Sequence, residues 1–254
     1  MTTDPGSQAR LGGPADVWLR RIDRTGMDGG VRLVAFPHAG GGPSAYQAWL
    51  PAIPPGVELW AVAYPGREDR SGEPPLTSIE QTAQDIAVAL QWISDTPYVL
   101  FGHSMGAVVA YETCHALACI GAPRPGHLFV SGSPSPPRAA RDAAAGRTEY
   151  ELHWLKEEPL HDWARAELQD MVRDTIASDL RALAGYRDPS AWRTTTPLSV
   201  VYGSDDADLD DEEARRWSDF TAGDFSVTSL PGDHFTCFNR PHDMLQALRN
   251  ALPG

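Results

Sequence analysis

The sequence is poor in cysteine. Cys114, Cys119 and Cys237 are the three in 254 residues, their number is odd, and no two stand in C-x-x-C spacing. That argues against a disulfide framework and against a zinc site. Cys114 and Cys119 fall in an apolar helical stretch, where a free thiol packs as a small hydrophobe. Long apolar runs are also missing. No stretch nears the roughly 18–20 residues of a membrane span, and the opening MTTDPGSQARLGGPADVW lacks the apolar core of a signal peptide. A cytoplasmic protein without membrane association is expected. Positive charge is the minority sign: 21 Lys and Arg against 34 Asp and Glu leave a net charge of −13. This argues against nucleic acid or an anionic membrane as a partner. The acidic run at 205–213 (DDADLDDEE) reads as a solvated loop and helix start. No G-x-x-x-x-G-K-[ST] and no G-x-G-x-x-G is present, so neither a phosphate-binding loop nor a dinucleotide fold is expected.

The length suits one α/β domain, with or without an inserted subdomain. Residues 1–16, polar and rich in Gly and Pro, read as a loose tail, leaving 17–254 as the domain. Short apolar runs follow at Val31–Phe36, Glu58–Ala63, Tyr98–Phe101, His127–Ser131, Leu198–Tyr202 and Phe225–Leu230. Runs of this kind suit strands buried on both faces of a sheet. Helical periodicity lies between them, at Ser78–Ile93, Ala107–Ile120, Glu212–Phe220 and His242–Leu252. Thr77 with Glu80 has capping-box spacing, and Pro241 suits a first helical turn. Alternating strands and helices predict a mostly parallel sheet flanked by helices. From Ser133 to about Thr196 the alternation breaks: a Pro-rich run (SPSPP) leads into helical patterns at Thr148–Leu155, from Asp162–Trp163 onward and at Gln169–Leu183. About 60 residues without a strand is too long for an ordinary connection. The block reads as a helical insertion covering a site, a lid at about 133–196.

The strongest motif is Phe101-Gly102-His103-Ser104-Met105-Gly106-Ala107, a G-x-S-x-G that follows a strand and opens a helix. That context is what a nucleophile elbow of the α/β-hydrolase fold requires. The sharp turn strains the serine and leaves no room for side chains at the two glycine positions. The Met105 N–H then points at the same space from a helix N-terminus, where developing negative charge is favoured. A serine hydroxyl needs an adjacent base. His234, in Leu230-Pro231-Gly232-Asp233-His234-Phe235 between the last strand and the last helix, is the candidate. His242 is its main rival. His103 lies inside the elbow, where its ring should point away from the nucleophile; His115 and His127 lie in packed elements, and His153 and His161 in the insertion. The base needs an orienting carboxylate just past a strand end. Asp205, Asp206 and Asp208 all qualify by position, and spacing does not choose among them. The glycine loop Phe36-Pro37-His38-Ala39-Gly40-Gly41-Gly42 follows a strand and offers the second oxyanion N–H, assigned to Ala39.

FPHAGGG, AYPGREDR, FGHSMGA, the G-x-x-D step at Gly203–Asp206 and PGDHF together resemble a type II thioesterase. These are stand-alone editing enzymes of polyketide and nonribosomal peptide synthases. The resemblance runs from roughly Val17 to Leu252. It implies an α/β-hydrolase fold with a helical lid, and it implies Asp206 as the triad acid with Ala39 and Met105 as oxyanion donors. It further implies that Arg67 in AYPGREDR shapes the site. One departure is Asp233, where the family more often has a second glycine. The implied activity is hydrolysis of an acyl thioester from the phosphopantetheine arm of an acyl or peptidyl carrier protein, with no cofactor and no metal. Trp154, Leu155, Leu160, Trp163, Met171, Ile176 and Leu180 either line an acyl chamber or form the lid's own packing face. Arg138, Arg141 and Arg147 either meet an acidic carrier protein or its phosphate, or form a solvated basic stretch. A chain-releasing thioesterase, a general carboxylesterase and a non-catalytic hydrolase-like binding protein stay open as alternatives. The absence of an attached carrier domain favours editing.

Overall fold

The computed structural model describes residues 13–23, 30–146, 162–188 and 192–249, with the backbone alone for 162–171. Among the described residues there are seven strands: β1 (Leu19–Arg21), β2 (Val31–Phe36), β3 (Val57–Val62), β4 (Tyr98–His103), β5 (Leu128–Ser131), β6 (Leu198–Gly203) and β7 (Phe225–Leu230). They form one sheet in the order β1-β3-β2-β4-β5-β6-β7. Every neighbouring pair is parallel except β1, which runs antiparallel to β3. The fold class is α/β, as the alternating pattern predicts.

Successive strand residues point to opposite faces, and both faces are covered. Val34, Phe36, Leu100, Val130 and Val200 face a core shared with α1 (Gly13–Trp18), α2 (Ile79–Leu90) and α3 (Met105–Cys119). Leu33, Ala35, Val99, Phe101 and Val201 face a second core that includes Tyr46 and Trp49 of the 3-10 helix Pro43–Ala52. It also takes in Cys237 of α7 (Thr236–Asn239) and Met244, Leu245 and Leu248 of α8 (Pro241–Arg249). A sheet buried on both sides explains the nearly continuous apolar runs of β2 to β6. The edge strand β7 departs from that pattern, with alternate residues exposed.

Four details differ from the sequence reading. The tail stops short of residue 13: Gly13–Trp18 is helical with Ala15 buried, and residues 1–12 lie outside the described residues. β1 carries too little apolar signal (LRR) to be seen in the sequence. Ser78, not Thr77, caps α2: its hydroxyl accepts from Gln81 N–H at 3.2 Å and donates to Glu80 at 2.7 Å. The Pro-rich run opens a helix, α4 (Pro136–Ala144), with its prolines in the first turn, where the missing N–H would have no helical partner.

Within the described residues of the block 133–196, α4 is followed by one long helix, α5 (Asp162–Gly185), and then by an isolated bridge between Thr194 and Thr221. The pattern at Thr148–Leu155 lies outside the described residues. After β6 come α6 (Asp211–Arg215) and a 3-10 turn at Arg216–Phe220. Trp217 of that turn donates to the Ser133 carbonyl at 2.8 Å, which ties the start of the block to the body. Among the described residues, no helix is long and apolar enough to cross a membrane.

Candidate active site

The loops after β2, β4, β5, β6 and β7 meet at the carboxyl end of the parallel sheet, where ligands of open α/β sheets bind. Ser104 sits at the turn from β4 into α3 with φ 54° and ψ −123°. Such a backbone is costly for a residue with a side chain and persists where the surroundings force it. Here they do. Its N–H donates to the Ser131 carbonyl at 2.8 Å. A Cβ on Gly102 would lie 2.5 Å from Ala107 Cα, and one on Gly106 would strike the Phe36 and Pro37 carbonyls. The glycines of the motif therefore let β4, α3 and the loop after β2 close on one another. That contact brings the start of the loop after β2 against the first turn of α3, where Met105 lines the same cavity as Ser104 and His234. Met105 is the first residue of α3, and the first N–H groups of a helix have no partner within it.

Of the three aspartates, Asp206 is the one whose carboxylate meets His234. Asp206 Oδ2 lies 3.0 Å from His234 Nδ1, and its side chain is 1% exposed. A carboxylate at Nδ1 places the ring proton there and leaves Nε2 as the basic nitrogen. Asp205 is exposed and uses its N–H on the Gly232 carbonyl at 2.8 Å. Asp208 donates its N–H to Asp206 Oδ1 at 3.0 Å, supporting the acid that meets the histidine. Partial burial holds the Asp208 carboxyl above the usual range. The donor atoms of Asp206, Asp208 and His234 lie within 4.8 Å of one another; the Asp206–His234 hydrogen bond accounts for most of that closeness.

The other histidines separate cleanly. His242 is exposed at the start of α8, away from Ser104. His103 is fully buried beneath the base, its ring 4.9 Å from that of His234, with Nδ1 3.2 Å from the Ser131 carbonyl. His38 packs on His103 at 5.7 Å and on Phe235 and Phe238. Burial, reinforced by the nearby His234, pushes His103 well below the ordinary imidazole range and His38 down to about 3. Both rings are neutral packing groups at neutral pH. His127 stacks on Phe129, and burial lowers it to about 4. His153 and His161 lie outside the described residues. Asp233 has a local role: its carboxylate accepts from Phe235 N–H at 2.9 Å and its carbonyl from the Thr236 hydroxyl at 2.7 Å, closing the turn into α7.

Of the predicted lid side chains, Ile176 packs on Gly40 and Leu180 on the main core. The cavity wall beside Ser104 is instead made by Leu183, Ala139, Pro134, Arg138, Asp142 and Asp208 among others. Leu183 and Asp142 carry no motif, and nothing in the sequence marks them. Trp154, Leu155, Leu160 and Arg147 lie outside the described residues, as do the side chains of Trp163 and Met171. Arg138 pairs with Asp142 at 2.6 Å, and Arg141 donates to the Pro137 carbonyl at 3.2 Å. Arg67 is buried and makes a bidentate pair with Asp179 of α5. Next to it Glu68 accepts from the N–H and hydroxyl of Ser44 at 3.1 and 2.6 Å. The AYPGREDR loop thus braces the glycine loop.

The chain is similar to known thioesterases. The family model "Thioesterase domain" matches residues 31–252. The gramicidin S biosynthesis protein GrsT of Aneurinibacillus migulanus is 30% identical over 87% of this chain and 89% of its own length. The thioesterase PikA5 of Streptomyces venezuelae is 32% identical over 93% of this chain and 85% of its own. Among solved structures, the type II thioesterase BorB of the borrelidin biosynthetic cluster aligns with a TM-score of 0.75 at 32% identity, covering 93% of this chain and 97% of that one.

Proposed function

The chain belongs to the thioesterase family of the α/β-hydrolase fold, and from that premise we propose that it hydrolyses acyl thioesters on the phosphopantetheine arms of carrier proteins in a polyketide or nonribosomal peptide pathway. The role is editing, the removal of stalled or aberrant acyl groups. The hydrolase domain is read as beginning at α1 and running to residue 254, and the block at about 133–196 as its lid. The observation that carries the reading is the Asp206–His234 hydrogen bond at 3.0 Å beside a strained Ser104 on the same cavity.

Ser104 Oγ attacks the thioester carbonyl while His234 Nε2 takes its proton. Asp206 holds the ring tautomer and stabilises the imidazolium. The N–H groups of Ala39 and Met105 receive the oxyanion. The tetrahedral intermediate collapses, the C–S bond breaks, and the pantetheine sulfur leaves as a thiol with the proton returned by His234. A water then gives its proton to His234 and attacks the acyl-serine. The acid departs and Ser104 regains its proton. Every proton is carried by His234, so neither metal nor cofactor enters.

The test is turnover of acyl-phosphopantetheinyl carrier proteins, acyl-N-acetylcysteamine thioesters and p-nitrophenyl esters by wild type and Ser104→Ala. Release from the carrier, lost in Ser104→Ala, is expected. Ester turnover with carriers untouched would make the chain a general esterase. Turnover surviving in Ser104→Ala would remove the serine mechanism.

A further inference from the structure

Asp179 stands on α5, inside the block between β5 and β6, and its side chain is 0% exposed. It accepts three hydrogen bonds from two loops of the body. Gly40 N–H donates to Oδ2 at 2.8 Å, and Arg67 donates through Nη1 and Nη2 at 2.5 and 2.6 Å. Arg67 also donates to the Gly41 carbonyl at 3.2 Å, while the Gly41 N–H closes a turn onto the His38 carbonyl at 2.9 Å. Ile176, one turn earlier on α5, lies so close to Gly40 that a Cβ there would overlap it; Gly40 has φ +79°. Residues 38–41 are thus held from one side by a turn and from the other by a helix more than 130 residues away in sequence.

A peptide unit is planar, so the Ala39 carbonyl and the Gly40 N–H move as one plate. Fixing the Gly40 N–H on Asp179 fixes that plate, and the bond from the Gly41 N–H to the His38 carbonyl fixes the preceding plate, which carries the Ala39 N–H. The tie is also hard to break in part. A buried ion pair that loses one member leaves an uncompensated charge, so lifting α5 strands both the Arg67 guanidinium and the Gly40 N–H. Helix and loop therefore seat together.

We propose that Asp179 is a positioning residue that couples the seating of helix α5 to the oxyanion loop, so that the Ala39 N–H is aligned when α5 is seated on that loop. This rests on the reading of Ala39 as an oxyanion donor. It deepens that reading by making the covering helix a part of the catalytic machinery rather than a wall of the chamber.

The test uses a short acyl-N-acetylcysteamine thioester, which needs no carrier protein, with wild type, Asp179→Asn, Asp179→Glu and Ser104→Ala. Loss of an oxyanion donor lowers kcat by roughly 100- to 1,000-fold. A misaligned donor should cost part of that, about 10- to 100-fold in kcat for Asp179→Asn, with KM within about threefold and a cooperative thermal transition retained. Asp179→Glu keeps the charge and displaces the carboxylate by one methylene. It carries the test should Asp179→Asn not fold, and the same kcat-selective loss is expected. Wild-type kcat in either folded variant, or a loss confined to KM, would overturn the proposal and leave the pair a wall of the chamber. A wild type that ignores the thioester, or a Ser104→Ala that still cleaves it, would overturn the hydrolase reading itself and this inference with it.

Discussion

Gly132 lies against His234 with nothing between them but the space a side chain would fill: a Cβ at Gly132 would come within 3.3 Å of His234 Cε1 and 2.7 Å of His103 Cε1. Its φ of +55° is one that residues with side chains avoid. Gly132→Ala therefore carries two penalties, a backbone strain of about 1–3 kcal/mol and a push on the His103 ring and, through contact, on His234, the proposed base. A loss of kcat of about tenfold or more is expected from a displaced base, alongside a lower urea midpoint. Wild-type kcat in the folded variant would mean that the imidazole is not positioned by this contact.

Asp206 and Asp205 are adjacent in the chain but differ in what their carboxylates touch. Asp206 meets His234 Nδ1 and accepts the Asp208 N–H, whereas the Asp205 side chain faces solvent. Asp206→Asn turns a proton acceptor into a group that can stabilise the wrong tautomer, and kcat should fall by about 1,000- to 10,000-fold. Asp205→Asn should stay within about twofold of wild type, since exposed substitutions away from a site have small effects. Thioester hydrolysis by the two purified variants decides the matter; equal losses would return the orienting role to the loop as a whole.

Ser104 was legible because its geometry is local: strand, turn and helix are all encoded within seven residues. Asp206 was not fixed by spacing. Which of three neighbouring aspartates turns inward depends on backbone hydrogen bonds to Gly203 and Gly232, one of them from a distant loop. The Arg67–Asp179 pair spans 112 residues and has no local signature at all. α4 was hidden for a different reason. Proline is read as a breaker, yet at the first turn it removes an N–H that the helix does not use. The sheet was visible from β2 to β7 and faded at one edge, in β1, whose three residues hold a single apolar side chain.

The three thiols differ sharply in environment. Cys114 and Cys237 are buried, and burial pushes both thiols up, away from the reactive thiolate; Cys119 is exposed. A thiol-specific dye should therefore titrate one thiol in the native protein and three in denaturant. Fast native labelling of a second cysteine would show that the packing around α3 or α7 opens readily.

Two buried histidines, His103 and His127, and the half-buried His38 make stability fall with acid. His38 and His127 are lowered to about 3 and about 4, and His103 lies well below the ordinary range. In the unfolded chain each titrates near 6.5. Unfolding at pH 5 to 6 therefore takes up protons that the native state refuses. The stability these rings allow is complete above about pH 6.5 and is lost progressively as pH falls toward the folded values. Each proton is worth about 1.4 kcal/mol per pH unit, so three set an upper slope of about 4. Glu112 acts in the opposite sense, because burial raises its carboxyl and the folded form then gains a proton as pH falls; Asp188 and Asp208 are raised likewise. A net slope of about 1–3 kcal/mol per pH unit between pH 6 and 5 is expected from urea melts. His127→Gln, which keeps a side-chain donor toward Ser199 Oγ, now 2.9 Å from His127 Nε2, should remove about one proton's share of that slope. A stability that is flat from pH 6 to 5, with a slope that His127→Gln leaves unchanged, would mean that the imidazoles do not refuse protons in the folded protein, and their neutral packing would have to be abandoned.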